Sequence, residues 1–188
     1  MKRTPYKQMN CSIASALEVV GEPWTLLIIR DAYLQVRRFE EFQRHLNIAR
    51  NILTARLRKL VEHGVLQRIQ YQDRPRRFEY RLTDKGAALF PVIACLKEWG
   101  DKFGDKAAFG PPLQFEDKKT NAVVKPVLID AVTNKPIELE DVNIVPGPGA
   151  TPPSTNFMSW LKNERGQDAV VPMEDESRPA AAAAGARW

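Results

Sequence analysis

At Gly64 the hydrophobic pattern of the chain changes period. Ahead of it, in "ARNILTARLRKLVEHG" (49–64), Leu53, Leu57, Leu60 and Val61 recur every three or four positions. That spacing lays one apolar stripe along a helix. Behind it, "VLQRIQYQ" (65–72) and "RFEYRL" (77–82) flank "DRPR", and Phe78, Tyr80 and Leu82 alternate with Glu79 and Arg81. Such alternation fits a strand covered on one face. A helix must therefore stop at Gly64, with His63 in its last turn, and an antiparallel hairpin must follow at once.

Other segments fall into place around this junction. "CSIASALEVV" (11–20) places Ile13, Ala14, Leu17 and Val20 at helical spacing, and Gly21 and Pro23 end it. "WTLLIIRDAYL" (24–34) is apolar nearly all round, which predicts a buried central helix. "FEEFQRHL" (39–46) is a short amphipathic helix with Phe39, Phe42 and Leu46 on one side. After the hairpin, Thr83 and Asp84 open a long helix to Phe103, with Leu89, Ile93, Leu96 and Trp99 on one side and a local kink at Pro91. Four helices, a hairpin and a helix are the order of a winged helix-turn-helix domain, expected over 8–105. The fold class is thus mainly α with small β (α+β). Residues 111–145 predict a small β appendage of about three strands. Residues 146–188 predict a linker, rich in proline and glycine over 146–155, and a flexible, weakly structured tail in which "NFMSWLKNERG" forms one or two helical turns. No internal repeat stands out.

Charge narrows the partner. The net charge is +5, but residues 1–110 hold 20 Lys/Arg against 12 Asp/Glu, and 36–85 hold 13 against 6. The remaining residues, 111–188, hold 8 against 11. A concentrated positive field suits a polyanion. The densest part is the hairpin tip, with Arg74, Arg76 and Arg77 inside "YQDRPRRFEYRLTDKG". Asp73 and Glu79 offset only part of their repulsion. A helix fits the DNA major groove, and an arginine on a phosphate releases counterions. The helical wheel turns Asn51, Ala55, Arg58 and Glu62 away from the apolar stripe, with Thr54 at its edge. Asn51, Thr54, Ala55 and Arg58 are the base-reading candidates. Arg37, Arg38, Arg50, Arg74, Arg76 and Arg77 are the phosphate and wing candidates. Arg56 and Lys59 are expected in solvent or in ion pairs, and Ile52 in packing.

Several classes of function are disfavoured. No nucleophile–base pair, useful pair of carboxylates or glycine-rich phosphate loop occurs, so no enzyme is expected. His45 and His63 sit in no ligand pattern; His63 is expected to contact the last carbonyls of its helix, and no metal or cofactor is expected. No apolar run approaches the roughly 18 to 20 residues of a membrane span. Cys11 and Cys95 have neither metal-ligand spacing nor a disulfide framework. A reduced, cytoplasmic protein without a signal segment is the expectation. Cys95, Trp24 and Trp99 are expected in the core or, for the tryptophans, at an interface. Trp160, near Phe157 and Leu161, is expected to dock its segment.

The segments "IASALEVVGEPWTLLIIRDA" after Cys11, "RRFEEFQRHL", "ILTARLRKLVEHGVLQR" and "RFEYRLTDKGAALFPVIACLKEWG" resemble the HxlR family of bacterial transcriptional regulators, relatives of MarR-type winged-helix proteins. The likeness spans about residues 10 to 103. One departure is Ala49-Arg50 where many relatives have Ser-Pro; it removes a hydroxyl cap, and Asn47 is expected to cap instead. The resemblance implies a homodimer on a pseudo-palindromic operator, paired through the first and last helices of the domain. Ile13, Leu17, Leu89, Ile93, Leu96 and Trp99 are its interface candidates, although packing within one chain explains the last four equally well. It also implies a candidate redox sensor at Cys11, because a thiolate is favoured near a helix N-terminus, with Lys7 and Arg3 close by. An effector of unknown identity is implied too. A second reading stays open: a winged-helix module that binds an acidic protein without reading DNA sequence.

Overall fold

The computed structural model describes residue 6 and residues 9–105 and 107–165. The sequence-level expectations for Arg3, Lys7 and 166–188 lie outside them. The chain divides into two units, Met1–Pro126 and Val127–Trp188. That division falls inside the stretch set apart as an appendage.

Helices α1 (Ser12–Val20), α2 (Thr25–Tyr33), α3 (Phe39–Leu46) and α4 (Arg50–Glu62) follow one another. Ile28 and Ile29 of α2, Phe42 of α3 and Leu53, Leu57 and Leu60 of α4 are fully buried together with Val65 and Leu66. These residues are the stripes read from the sequence, and their burial is the main force holding the helices together. Ile52 packs against the same core. α2 is less enclosed than its composition suggests, since Leu27 and Trp24 are each 39% exposed. Thr25 is buried at its first turn, and its hydroxyl has no hydrogen-bond partner.

Helix ends fix the geometry of the helix-turn-helix. Glu41 of α3 reaches back to accept the N–H groups of Arg38 at 2.9 Å and Arg37 at 3.1 Å, closing a capping arrangement. Those two bonds, Arg38's first, hold the Glu41 carboxyl below the usual carboxylate range. α3 ends on Asn47 in the left-handed region (φ 48°), which Asn tolerates better than most residues. Asn47 is thus not the cap of α4; Ala49 occupies that position with no side-chain bond. Between them Ile48 is buried and anchors the turn. At the other end of α4, Gly64 (φ 67°) donates to the Val61 carbonyl and Val65 to that of Leu60. This paired closure needs a residue without a Cβ penalty at Gly64. His63 does not cap its helix with its ring; its own carbonyl accepts Lys85 Nζ at 2.8 Å.

The hairpin is β1 (Leu66–Gln72) and β2 (Arg77–Leu82), antiparallel, with Leu66 opposite Leu82 and an irregularity at Tyr71. A third rung joins it. Arg38 bridges to Glu79, and Tyr80 N–H donates to the Arg37 carbonyl at 2.8 Å. The residues entering α3 thus form the outer strand of a small sheet, too short to show in the hydrophobic pattern.

The expected long helix is two helices, α5 (Asp84–Ala87) and α6 (Phe90–Phe103). Thr83 caps α5, accepting from Gly86 N–H at 3.1 Å while its hydroxyl donates to the Gly64 carbonyl at 2.6 Å. Pro91 does not kink a helix interior. It lies in the first turn of α6, where an N–H would have no helical partner.

Beyond residue 110 the regular structure is sparser than three strands. The first unit has β3 (Phe115–Glu116) and β4 (Val123–Val124), an antiparallel pair. The second has a single bridge, Ile129 to Pro136, and a 3-10 turn at Leu139–Asp141 in place of a third strand. α7 (Pro152–Arg165) begins inside the expected linker. In it Phe157 and Trp160 stack at 5.8 Å.

Two turns of this stretch share one set of bonds. "DKKTN" (117–121) and "DAVTN" (130–134) form the same turn thirteen residues apart. In each, the aspartate accepts backbone N–H groups two and three residues on and the threonine hydroxyl. In each, the asparagine is left-handed and donates its N–H to the aspartate carbonyl at 2.8 Å. These bonds, the threonine's foremost, hold both carboxyls below the usual range.

Candidate nucleic-acid interface

α4 buries Leu53, Leu57 and Leu60 and turns its other side outward. Arg50, Asn51, Thr54, Ala55 and Arg58 line one open, shallow concavity on that side. The structure thus brings the four base-reading candidates together and adds Arg50. Their chemistry differs in availability. Thr54 Oγ1 donates to the Arg50 carbonyl at 2.8 Å, so its methyl group and a lone pair are what remain for a base. The Arg58 side chain is 74% exposed and 3.6 Å from Glu62, one turn on. An exposed pair at that spacing is worth about 0.3–0.5 kcal/mol, small beside the roughly 1–3 kcal/mol of a bidentate base contact. Arg58 is therefore free to leave it.

The arginines around this face are held by rings and by a neighbouring side chain. Arg50 lies 4.9 Å from the Phe39 ring centre, and Arg38 4.9 Å from that of Tyr71. Arg37 donates to Gln35 Oε1 at 2.6 Å. Stacking orients a guanidinium while leaving N–H groups on its edge for phosphate. Tyr71 and Arg68, which sits 3.5 Å over Phe78, escaped the sequence reading. Tyr71, the one aromatic residue of β1, flanks the wing arginines in the sequence, and that position was the signal.

At the hairpin tip Arg74, Arg76 and Arg77 are exposed and form no ion pair among the described residues. Of the two acids expected to offset them, Glu79 is committed to another cation and Asp73 keeps its charge beside them. Glu79 binds Arg81 at 2.6 Å, and Asp73 accepts from Gln70 at 2.6 Å. Three arginines without an ion pair among the described residues thus sit on one turn, with the Asp73 carboxylate offsetting part of their charge. Arg56, by contrast, is paired with Glu22 at 2.9 Å and bonded to the Pro23 carbonyl.

Beneath α3 lies a feature without a simple sequence signature. Asp31 of α2 is fully buried. Arg30 donates twice to its Oδ1, at 2.8 and 3.0 Å, and His45 Nδ1 lies 2.7 Å from Oδ2. A buried carboxylate requires such partners. His45 is therefore a hydrogen-bond partner tying α3 to α2. Among the described residues no cluster of three His, Cys, Asp or Glu could hold a metal.

The remaining candidates divide by burial. Ile13, Leu17, Leu96 and Trp99 are exposed, Ile13 at 72% and Trp99 at 61%. Leu89 and Ile93 pack against the chain's own core. Trp24 and Trp99 are thus not core residues. Cys11 is exposed at the N-cap of α1. Cys95 is also exposed, against expectation: its neighbour Ala94 takes the inward position of α6. No single helix among the described residues is long and apolar enough to cross a membrane.

Comparison with known proteins agrees with this architecture. The chain is similar to Rv3095 of Mycobacterium tuberculosis, named as an uncharacterized HTH-type transcriptional regulator, with 43% identity over 138 residues, 73% of this chain and 87% of the relative. YdeP of Bacillus subtilis, named in the same way, is 34% identical over 98 residues, 52% of this chain and 77% of its own. The crystal structure of PA1607, described as a candidate transcription factor, superposes with a TM-score of 0.66 at 37% identity and covers 76% of this chain and 99% of that one. PA1374 of Pseudomonas aeruginosa, described likewise, gives 0.56 at 35%, covering 78% and 99%. The model of the HxlR-like helix-turn-helix family matches residues 19–108, which span α2 to α6. With its winged helix-turn-helix fold, the chain belongs to the HxlR-like helix-turn-helix family of DNA-binding transcriptional regulators.

Proposed function

We propose that this protein is a cytoplasmic, sequence-specific regulator that binds double-stranded DNA as a homodimer. In this reading α4 enters the major groove, and the β1–β2 hairpin lies over neighbouring phosphates or the minor groove. The observation that carries it is the exposed polar face of α4 beside a hairpin whose three tip arginines form no ion pair among the described residues. Asn51 suits adenine, Arg58 suits guanine, and the Thr54 and Ala55 methyls suit thymine. Arg37, Arg38, Arg50, Arg74, Arg76 and Arg77 supply phosphate contacts. Exposed Ile13 and Leu17 of α1 and Leu96 and Trp99 of α6 offer the apolar surface for pairing, which would present two α4 helices to a pseudo-palindromic operator.

Selection of bound duplexes from a random pool tests the base contacts. Wild-type protein is expected to yield a palindromic consensus. Arg58→Ala should lose the preference at one position of each half-site, at a cost of about 1–3 kcal/mol on the preferred sequence. An unchanged consensus would remove Arg58 from base reading. Absence of affinity for any duplex in dilute salt would favour a protein-binding module instead.

Signal input is assigned to Cys11, whose exposed thiol stands at the start of a helix with apolar residues proposed to pair. Diamide or a quinone is expected to release DNA from wild-type protein but not from Cys11→Ser. Equal release from both, read by gel shift, would clear Cys11 of that role.

A further inference from the structure

Tyr71 is the residue that the hairpin register leaves out. Gln70 faces Phe78 and Gln72 faces Arg77, so Tyr71 is the extra residue of a bulge in β1. A bulge breaks the alternation of a strand and aims one side chain anew. Here the ring becomes a seat for Arg38, whose guanidinium lies 4.9 Å from its centre. Tyr71 is 38% exposed, and its hydroxyl forms no hydrogen bond among the described residues.

Arg38 stands beside two acids and forms a salt bridge with neither. Glu79 is directly across the bridge from it, yet Glu79 binds the Arg81 guanidinium at 2.6 Å. The Glu41 carboxylate accepts the backbone N–H groups of Arg37 and Arg38. A guanidinium laid on a ring keeps its N–H groups on its edge. With both acids engaged, those groups are left for an anion from outside. The pair lies between α3 and the hairpin, since Arg38 enters α3 and its bridge to Glu79 fixes its distance from the strands.

Both a carboxylate and a phosphodiester satisfy a guanidinium. The surroundings favour the phosphodiester, because residues 36–85 hold 13 Lys/Arg against 6 Asp/Glu, the field that suits a polyanion. A phosphodiester also has two non-bridging oxygens, one for the guanidinium edge and one for the phenol O–H. Tyrosine hydroxyls are ordinary phosphate donors in protein–DNA contacts.

We infer that Arg38 and Tyr71 form one phosphodiester site between α3 and the hairpin, in which Tyr71 both seats the guanidinium and donates its own O–H. The inference rests on the DNA binding of the proposed function and adds Tyr71 to it. Gel shifts test it on duplexes in which one backbone phosphate at a time is replaced by a neutral methylphosphonate. Tyr71→Phe keeps the ring and removes the donor. On unmodified duplex its affinity is expected to fall about tenfold with the salt slope unchanged, because a neutral donor releases no counterion. Arg38→Ala should instead lower the slope by about 0.9. Both side chains are exposed, so circular dichroism of either variant should match wild type. One backbone position should weaken wild-type binding when neutralised and leave both variants nearly unaffected. If no position does so for both, or if Tyr71→Phe binds as wild type does, the shared site is overturned and DNA binding stands. A wild-type protein with no affinity for any duplex in dilute salt overturns both.

Discussion

Replacing Arg74, Arg76 and Arg77 together by alanine is expected to flatten the salt dependence of DNA binding. Three phosphate contacts contribute a slope of about 0.9 each, so the plot of log affinity against log salt should lose about 2.7 units. Between 50 and 200 mM salt, a fourfold range, wild-type affinity should therefore fall roughly 40-fold more than that of the variant. The loss should be alike on all sequences, because phosphate contacts carry no base information. Folding should be untouched to within about 0.5 kcal/mol, since the three side chains are exposed and pair with no acid among the described residues. Gel shifts at several salt concentrations decide the matter. An unaltered slope would mean that the hairpin does not lie on the duplex.

Gly86→Ala is expected to act through the fold instead. A Cβ built on Gly86 would lie 2.3 Å from the Val65 carbonyl oxygen and 2.9 Å from Leu82 Cδ2. The Val65 carbonyl is not free to move aside. It accepts the Thr83 N–H at 3.2 Å, and Val65 itself is buried and closes the end of α4. On the opposite side the Gly86 carbonyl accepts Tyr33 Oη at 2.8 Å. Relief must come from backbone displacement, and overpacking of this kind costs about 3 kcal/mol, a large part of the roughly 5–15 kcal/mol that holds a domain together. Urea unfolding should show the loss directly, with DNA binding failing in proportion to the unfolded fraction. A midpoint equal to wild type would show that α5 does not press on the end of α4.

These two sites differ in how visible they were beforehand. The wing is written locally: alternation on both sides of "DRPR" and a cluster of arginines need no tertiary knowledge. The stripe of α4 is equally local, and it fixed the exposed face by exclusion. Contact between Gly86 and Val65 joins residues 21 apart, and no periodicity encodes it. The Asp31–His45 pair is similar: a carboxylate in an apolar helix is a hint, but its partner is chosen by how α2 meets α3. In α6, spacing alone could not say which body covers a stripe. Leu89 and Ile93 turn inward and Leu96 and Trp99 outward. Cys95 lies two residues, about 200° round the helix, from inward-facing Ile93, which by itself brings it to the surface. The repeated turn was legible after all, as Asp and Thr three residues apart followed by Asn, but hydrophobic pattern is silent about loops.

The rung between Arg38 and Glu79 has one more consequence. Because the hairpin is hydrogen-bonded to the residues that enter α3, and α3 is fastened through His45 to the carboxylate under it, the hairpin and the helix-turn-helix are linked through one set of contacts to α2. On the proposed mode of binding, a displacement of α2 would reach both elements at once, so loss of DNA need not begin at the surface that holds it.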